Sequence, residues 1–140
     1  SAGTVTATYG TATAKAHADT LWTQADSDNG DLPASKSVGD VRNPGLKTIL
    51  INNIKEDAGV ELKKTDWYIV RKADAGTAVP STITNHRAAV RTKAAEMETA
   101  ITNAADTEAL KTLFTYVNTA DEGEPDVMAR PIGNLPILES

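Results

Sequence analysis

The stretch PSTITNHRAAVRTKAAEMETAI, residues 80–101, decides the fold. Pro80 and Ser81 suit a helix start, because proline lacks an N–H that would be unpaired there anyway and its φ is already helical. Ile83, Val90, Ala94, Met97 and Ile101 fall on one face of a 3.6-residue repeat, while arginine, lysine and glutamate fill the opposite face. Downstream, Asp106 or Thr107 caps a final helix bearing Leu110, Leu113, Phe114 and Val117. Two amphipathic helices across a short break predict an antiparallel helical hairpin.

Upstream, Asn43 is a good N-cap and Pro44 a good first helical residue, followed by an apolar stripe of Leu46, Ile49, Leu50 and Ile54. Gly59 weakens this helix, but Leu62 extends its stripe past the glycine. Thr65 and Asp66 form a fresh cap before Trp67-Tyr68-Ile69-Val70. Those four residues favour strands, yet the capped start and the stop at Gly76 predict a short helix.

The flanks read differently. Residues 4–9 alternate threonine with Val5, Ala7 and Tyr9, the pattern of a half-buried strand. Residues 23–41, with Asp26-Ser27-Asp28-Asn29-Gly30-Asp31 and Leu32-Pro33, read as turn and linker with little to bury. After Asp121, Pro125, Pro131 and Pro136 rule out a regular helix. Val127, Met128, Ile132, Leu135, Ile137 and Leu138 make that segment too apolar for a free tail. It must lie extended along something, either this domain or a neighbouring subunit. As a partner-docking arm on a neighbour, its deletion (residues 126–140) is expected to leave a folded monomer that no longer assembles. The expected fold is therefore mainly α, with a short N-terminal β segment and an extended C-terminal arm. Its zones are an arm at residues 1–42, a helical domain at 43–120 and the terminal arm at 121–140.

Composition narrows the function. The chain has 140 residues, of which 22 are alanine and 19 threonine, so its core is thin and drawn from few large side chains. With no cysteine there is no disulfide, thiolate zinc site or cysteine nucleophile. No apolar run reaches about 18 residues, so no membrane span is expected, and no secretory leader opens the stretch. The formal charge is −5, and it is uneven: −3 over residues 1–40, +3 over 41–105 and −5 over 106–140. An acidic whole argues against nucleic acid as the main partner. The uneven charge reads first as a solvated mixture of signs, and otherwise the basic middle suits the chain's own acidic ends or an acidic neighbour.

Catalytic and metal patterns fail individually. A calcium loop starting at Asp26 would have Gly30 at its fifth place and Ser37 at its twelfth, where oxygen ligands belong. His17 and His86, the two histidines, lack the further nitrogens of a zinc site and any nucleophile elbow. Glu96 and Glu98, two apart, point to different helix faces. No enzyme activity and no cofactor are expected. The remaining candidates are core or interface anchors. Arg87 and Arg91, one turn apart, suit an anion, an acidic partner or intramolecular pairing. Trp67 and Tyr68 beside Arg71 and Lys72 have the make-up of an interface hot spot. In so aromatic-poor a chain the simpler expectation puts Trp67 at the core centre, with truncation to alanine costing about 3–5 kcal/mol.

The run Thr65-Asp66-Trp67-Tyr68-Ile69-Val70-Arg71-Lys72, then Gly76 to Pro80, then Arg87-Ala88-Ala89-Val90-Arg91 resembles a region of small bacteriophage tail proteins, in particular the tail-fibre assembly and tail assembly chaperone group. The resemblance covers residues 45–117 and none of the first 40. It implies a virion structural protein of the tail, fibre or neck, made in the host cytoplasm and acting through contacts with other tail or fibre proteins, as a homo-oligomer or a part of a larger assembly. The alternative it implies is a non-virion chaperone that covers a tail or fibre protein and leaves.

Overall fold

The computed structural model describes residues 16–139, so the strand expected at residues 4–9 lies outside the described residues. In chain order the elements are β1 (Thr20–Leu21), α1 (Gln24–Asp28), β2 (Val41–Asn43), α2 (Leu46–Lys63), α3 (Asp66–Ala75), α4 (Ser81–Asn103), α5 (Thr107–Phe114), β3 (Val117–Asn118) and β4 (Met128–Ala129). The fold is mainly α, with one two-stranded antiparallel ribbon before the helices and another after them.

Its frame is the antiparallel pair α2–α4. Lys47 Nζ donates to Thr102 O (2.8 Å), Lys55 pairs with Glu98 (3.6 Å), and Glu61 meets His86 (3.1 Å), so position rises along one helix as it falls along the other. From α4 the buried residues are Ile83, Arg87, Val90, Ala94, Met97 and Ile101; from α2 they are Ile54, Ala58 and Glu61. Both sets keep the alternating three- and four-residue spacing of a packed helical seam. The hairpin partner of α4 thus differs from expectation. It is α2, whereas α5 is short and contributes Leu110 to the core.

α5 also ends earlier than its apolar stripe predicts. Thr115 turns extended, and Val117 pairs with Ala129 in the β3–β4 ribbon. Thr115, Tyr116 and Val117 are β-branched or aromatic, and residues 127–129 offer them a partner strand, so tertiary pairing overrides the helical period.

The start of α2 shows what the N-terminal segment does. The helix begins two residues later than the expected Asn43 cap, with Gly45 as its cap and no side chain of its own to accept the first N–H groups. Residues 16–19 supply the missing acceptors: Leu46 N–H donates to Ala16 O (2.9 Å), Lys47 N–H to His17 O (3.0 Å), and Gly45 N–H and the Thr48 hydroxyl to Asp19 Oδ1 (2.6 and 2.7 Å). Three backbone N–H groups at the helix N-terminus, and the Thr48 hydroxyl beside them, are satisfied by a chain segment some thirty positions away. A Cβ at Gly45 would collide with the backbone of Ala18, which explains the glycine.

The presumed linker contains a short helix. Thr23 Oγ1 accepts the Asp26 N–H while Asp26 Oδ2 accepts the Thr23 N–H, a reciprocal capping box that closes α1. Arg42 donates to Asp26 Oδ1 (2.9 Å) and lies 4.5 Å over the Trp22 ring. The Thr23 hydrogen bonds first, and the Arg42 charge after them, hold the Asp26 carboxyl below its usual range.

The C-terminal arm is extended, as its prolines require, but much of it lies on this chain's own helices. Ile132 is 3% exposed, is part of the main core, and donates its N–H to Leu113 O (3.0 Å). Leu135 packs against the same core, and the half-buried Leu138 donates its N–H to Glu61 Oε1 (2.8 Å). The expectation that these three residues dock on a neighbour is corrected: the seam between α2 and α4 is left open on one side, and the arm closes it. Val127, Met128 and Ile137 remain exposed.

Candidate interaction surface

Two charged residues stand where the apolar seams of α2 and α4 lead one to expect hydrocarbon. Glu61 follows Ile54 and Ala58, and Arg87 lies between Ile83 and Val90; they are 6% and 8% exposed. Both sit at the same end of the helix pair, and each fastens a neighbouring segment.

Glu61 receives hydrogen bonds from Lys64, from the Leu138 N–H and, at 3.1 Å, contacts His86 Nε2. The Lys64 hydrogen bond dominates and pulls its carboxyl below the usual range against the opposing effect of burial. The carboxylate lines a cleft of about 200 Å³ between α2, α4 and the arm. His86 on α4 has its carboxylate partner supplied by the other helix, α2.

Arg87 fixes the junction between α2 and α3. Its Nη1 donates to Leu62 O (2.7 Å), Thr65 Oγ1 (2.7 Å) and Asp66 Oδ1 (2.9 Å). Thr65 is fully buried and donates its own hydroxyl to Leu62 O (3.0 Å). Of the readings open for the arginine pair, Arg87 takes intramolecular pairing, while Arg91 is exposed.

α3 leaves this junction as the expected helix and stops at Gly76, which takes the left-handed conformation (φ +69°) that only glycine adopts without strain. None of its ten residues is buried. Trp67 is 51% exposed, Ile69 44% and Val70 65%. The placement of Trp67 at the core centre is therefore corrected. Arg87, in the α4 seam next to Ile83, takes oxygens from the buried Thr65 and the more exposed Asp66 at the start of α3, and Trp67 is left facing solvent. Outside, the Trp67 and Tyr68 rings lie 3.8 Å apart between centroids, and the Arg71 guanidinium sits 4.8 Å and 5.4 Å from them. Arg71 Nε, buried against this cluster, has no hydrogen-bond acceptor among the described residues, so cation–π attraction is what holds the guanidinium. Trp67→Ala is expected to lower stability by less than about 1 kcal/mol, well below the cost of a core aromatic, which a denaturant midpoint measures directly.

A second uncovered surface is the β3–β4 ribbon, where Tyr116, Val117, Val127 and Met128 are all about half exposed. Between its strands lie Asp121, Glu122, Glu124 and Asp126, the last accepting from Asn118 Nδ2 (2.7 Å).

Among the described residues no three histidine or carboxylate side chains converge as a metal-holding group, and no helix is long and apolar enough to cross a membrane. Compared with protein-family models, with curated proteins and with solved structures, the chain matches none.

The charged seam residues were legible in principle. Glu61 and Arg87 each occupy a seam position by spacing alone, and a charge there signals a buried polar node rather than a solvated face. Pairing them with Leu138 and with Thr65 and Asp66 needed the fold.

Proposed function

We propose that this chain is a structural protein of a bacteriophage tail, fibre or neck that works through protein–protein contact and not through catalysis. The observation that carries this reading is α3: a helix fastened firmly at its start by Arg87, yet presenting Trp67, Ile69 and Val70 to solvent. Rigid attachment lowers the ordering cost of binding, and an exposed aromatic beside an arginine is the composition of binding hot spots. The similarity of residues 45–117 to the phage tail group supplies the setting. A mass-spectrometric inventory of purified particles tests the reading. The expected result is the chain in stoichiometric amount; its presence in infected-cell extracts but absence from particles would favour the assembly-chaperone alternative instead.

A further inference from the structure

We propose that α3 of one copy docks on the acidic β3–β4 ribbon of the next, so that the chain assembles head to tail. This rests on the contact-protein reading above and names the partner. Each of the two surfaces groups several apolar side chains that the fold leaves uncovered, and their charges are opposite. Around α3 stand Lys63, Arg71 and Lys72 against Asp74. Between β3 and β4 stand Asp121, Glu122 and Glu124.

Neither set forms an ion pair among the described residues. Among the described residues, the ion pairs join Arg42 to Asp26, Lys55 to Glu98, Lys64 and His86 to Glu61, Arg87 to Asp66, Lys93 to Glu96 and Lys111 to Glu108. Lys63, Arg71 and Lys72 are absent from that set, and so are Asp121, Glu122 and Glu124. The arm packs on α2 and α4 of its own copy, yet among the described residues these α3-side cations and ribbon carboxylates form no ion pair with each other.

The same charges select the geometry. A symmetric contact of α3 on α3 brings cations together, and ribbon on ribbon brings carboxylates together, so both two-fold dimers are disfavoured. The pairing of α3 with the ribbon is attractive and uses different patches on the two copies. Such a heterologous contact repeats, giving a ring if the rotation closes and a filament if it does not. Trp67 and Val70 supply the apolar contact on one side, Val127 and Met128 on the other, and the charges set the register.

Sedimentation of the full chain over a range of concentration tests this. At low ionic strength the mean mass is expected to rise past twice the chain mass, and raising salt from about 0.05 M to about 0.5 M is expected to weaken association about tenfold. The double variant K63E/K72E and the double variant E122K/E124K are each expected to be monomeric, with helical circular dichroism unchanged because all four positions are exposed. Mixed together they offer two attractive pairings, the ribbon of the first with α3 of the second and the reversed α3 of the first with the reversed ribbon of the second, and are expected to assemble alternately past two copies. The chain carrying all four reversals is expected to assemble again. A wild-type chain that stays monomeric at low salt overturns the proposal, without recourse to any variant. Association untouched by either double variant also overturns it. A monomeric chain found in purified particles would remove this inference and leave the proposed function standing, whereas an assembling chain missing from particles would do the reverse.

Discussion

Deleting residues 126–140 is expected to destabilise the helical unit by about 5–6 kcal/mol, leaving it partly unfolded at room temperature. Ile132 is 3% exposed, and burying such a side chain contributes roughly 2–3 kcal/mol. Leu135 and Leu138, each partly covered, add about 1 kcal/mol apiece by the same measure. Glu61 loses the Leu138 N–H and Leu113 O loses the Ile132 N–H, at about 1 kcal/mol for the pair of bonds. Domains of this size are stable by only about 5–15 kcal/mol, so the loss takes a large share. Urea titrations of the full and shortened chains, followed by far-ultraviolet circular dichroism, check it. Equal midpoints would show that the arm is an accessory and that the helices close without it. The sequence-based expectation of a folded, merely unassembled remnant is thereby reversed, because the arm belongs to the core.

What the sequence made legible follows the range of the interactions concerned. α4 and α3 could be placed from neighbours alone: Pro80 and Ser81 start the first, Asp66 starts the second, and Gly76 stops it. The seam of α4 came through as well, since Ile83, Val90, Ala94, Met97 and Ile101 are all buried. Failures arose where a distant segment decides. Asn43 and Pro44 look like a helix start, but the true start lies where Ala16, His17 and Asp19 can reach the free N–H groups. Val117 fits the stripe of α5, but the strand at residues 128–129 claims it. The apolar, proline-broken tail had to lie along something, and no local signal says whether that surface is its own. For the interaction surface, residue type was legible and exposure was not. Trp67 and Arg71 had the right chemistry, but which way α3 turns depends on Arg87, twenty residues further on.

Arg87→Ala is expected to cost about 3 kcal/mol and to loosen α3 more than any other element. The two N–H groups of Arg87 Nη1 are shared among three acceptors at a position 8% exposed, and the hydrocarbon stem fills the seam between Ile83 and Val90. The bonds are not equal. Leu62 O also accepts from the Thr65 N–H (3.1 Å) and hydroxyl (3.0 Å), so it keeps partners when Arg87 is gone. Asp66, with its side chain 56% exposed, pairs in high dielectric and contributes less than about 1 kcal/mol. Most of the loss is the charge-assisted bond to the fully buried Thr65 together with the cavity left by the stem. Arg87→Met separates the two, since it keeps the stem and removes the bonds; its expected cost is about half that of alanine, or roughly 1.5 kcal/mol. Denaturant midpoints rank the pair, and amide exchange shows where the loosening falls. Residues 66–75 are expected to lose protection in both variants while the seam residues 90–101 keep theirs. If protection fell evenly along α4 instead, Arg87 would be one more packing residue, and α3 would owe its attachment to something other than the Leu62–Thr65–Asp66 node.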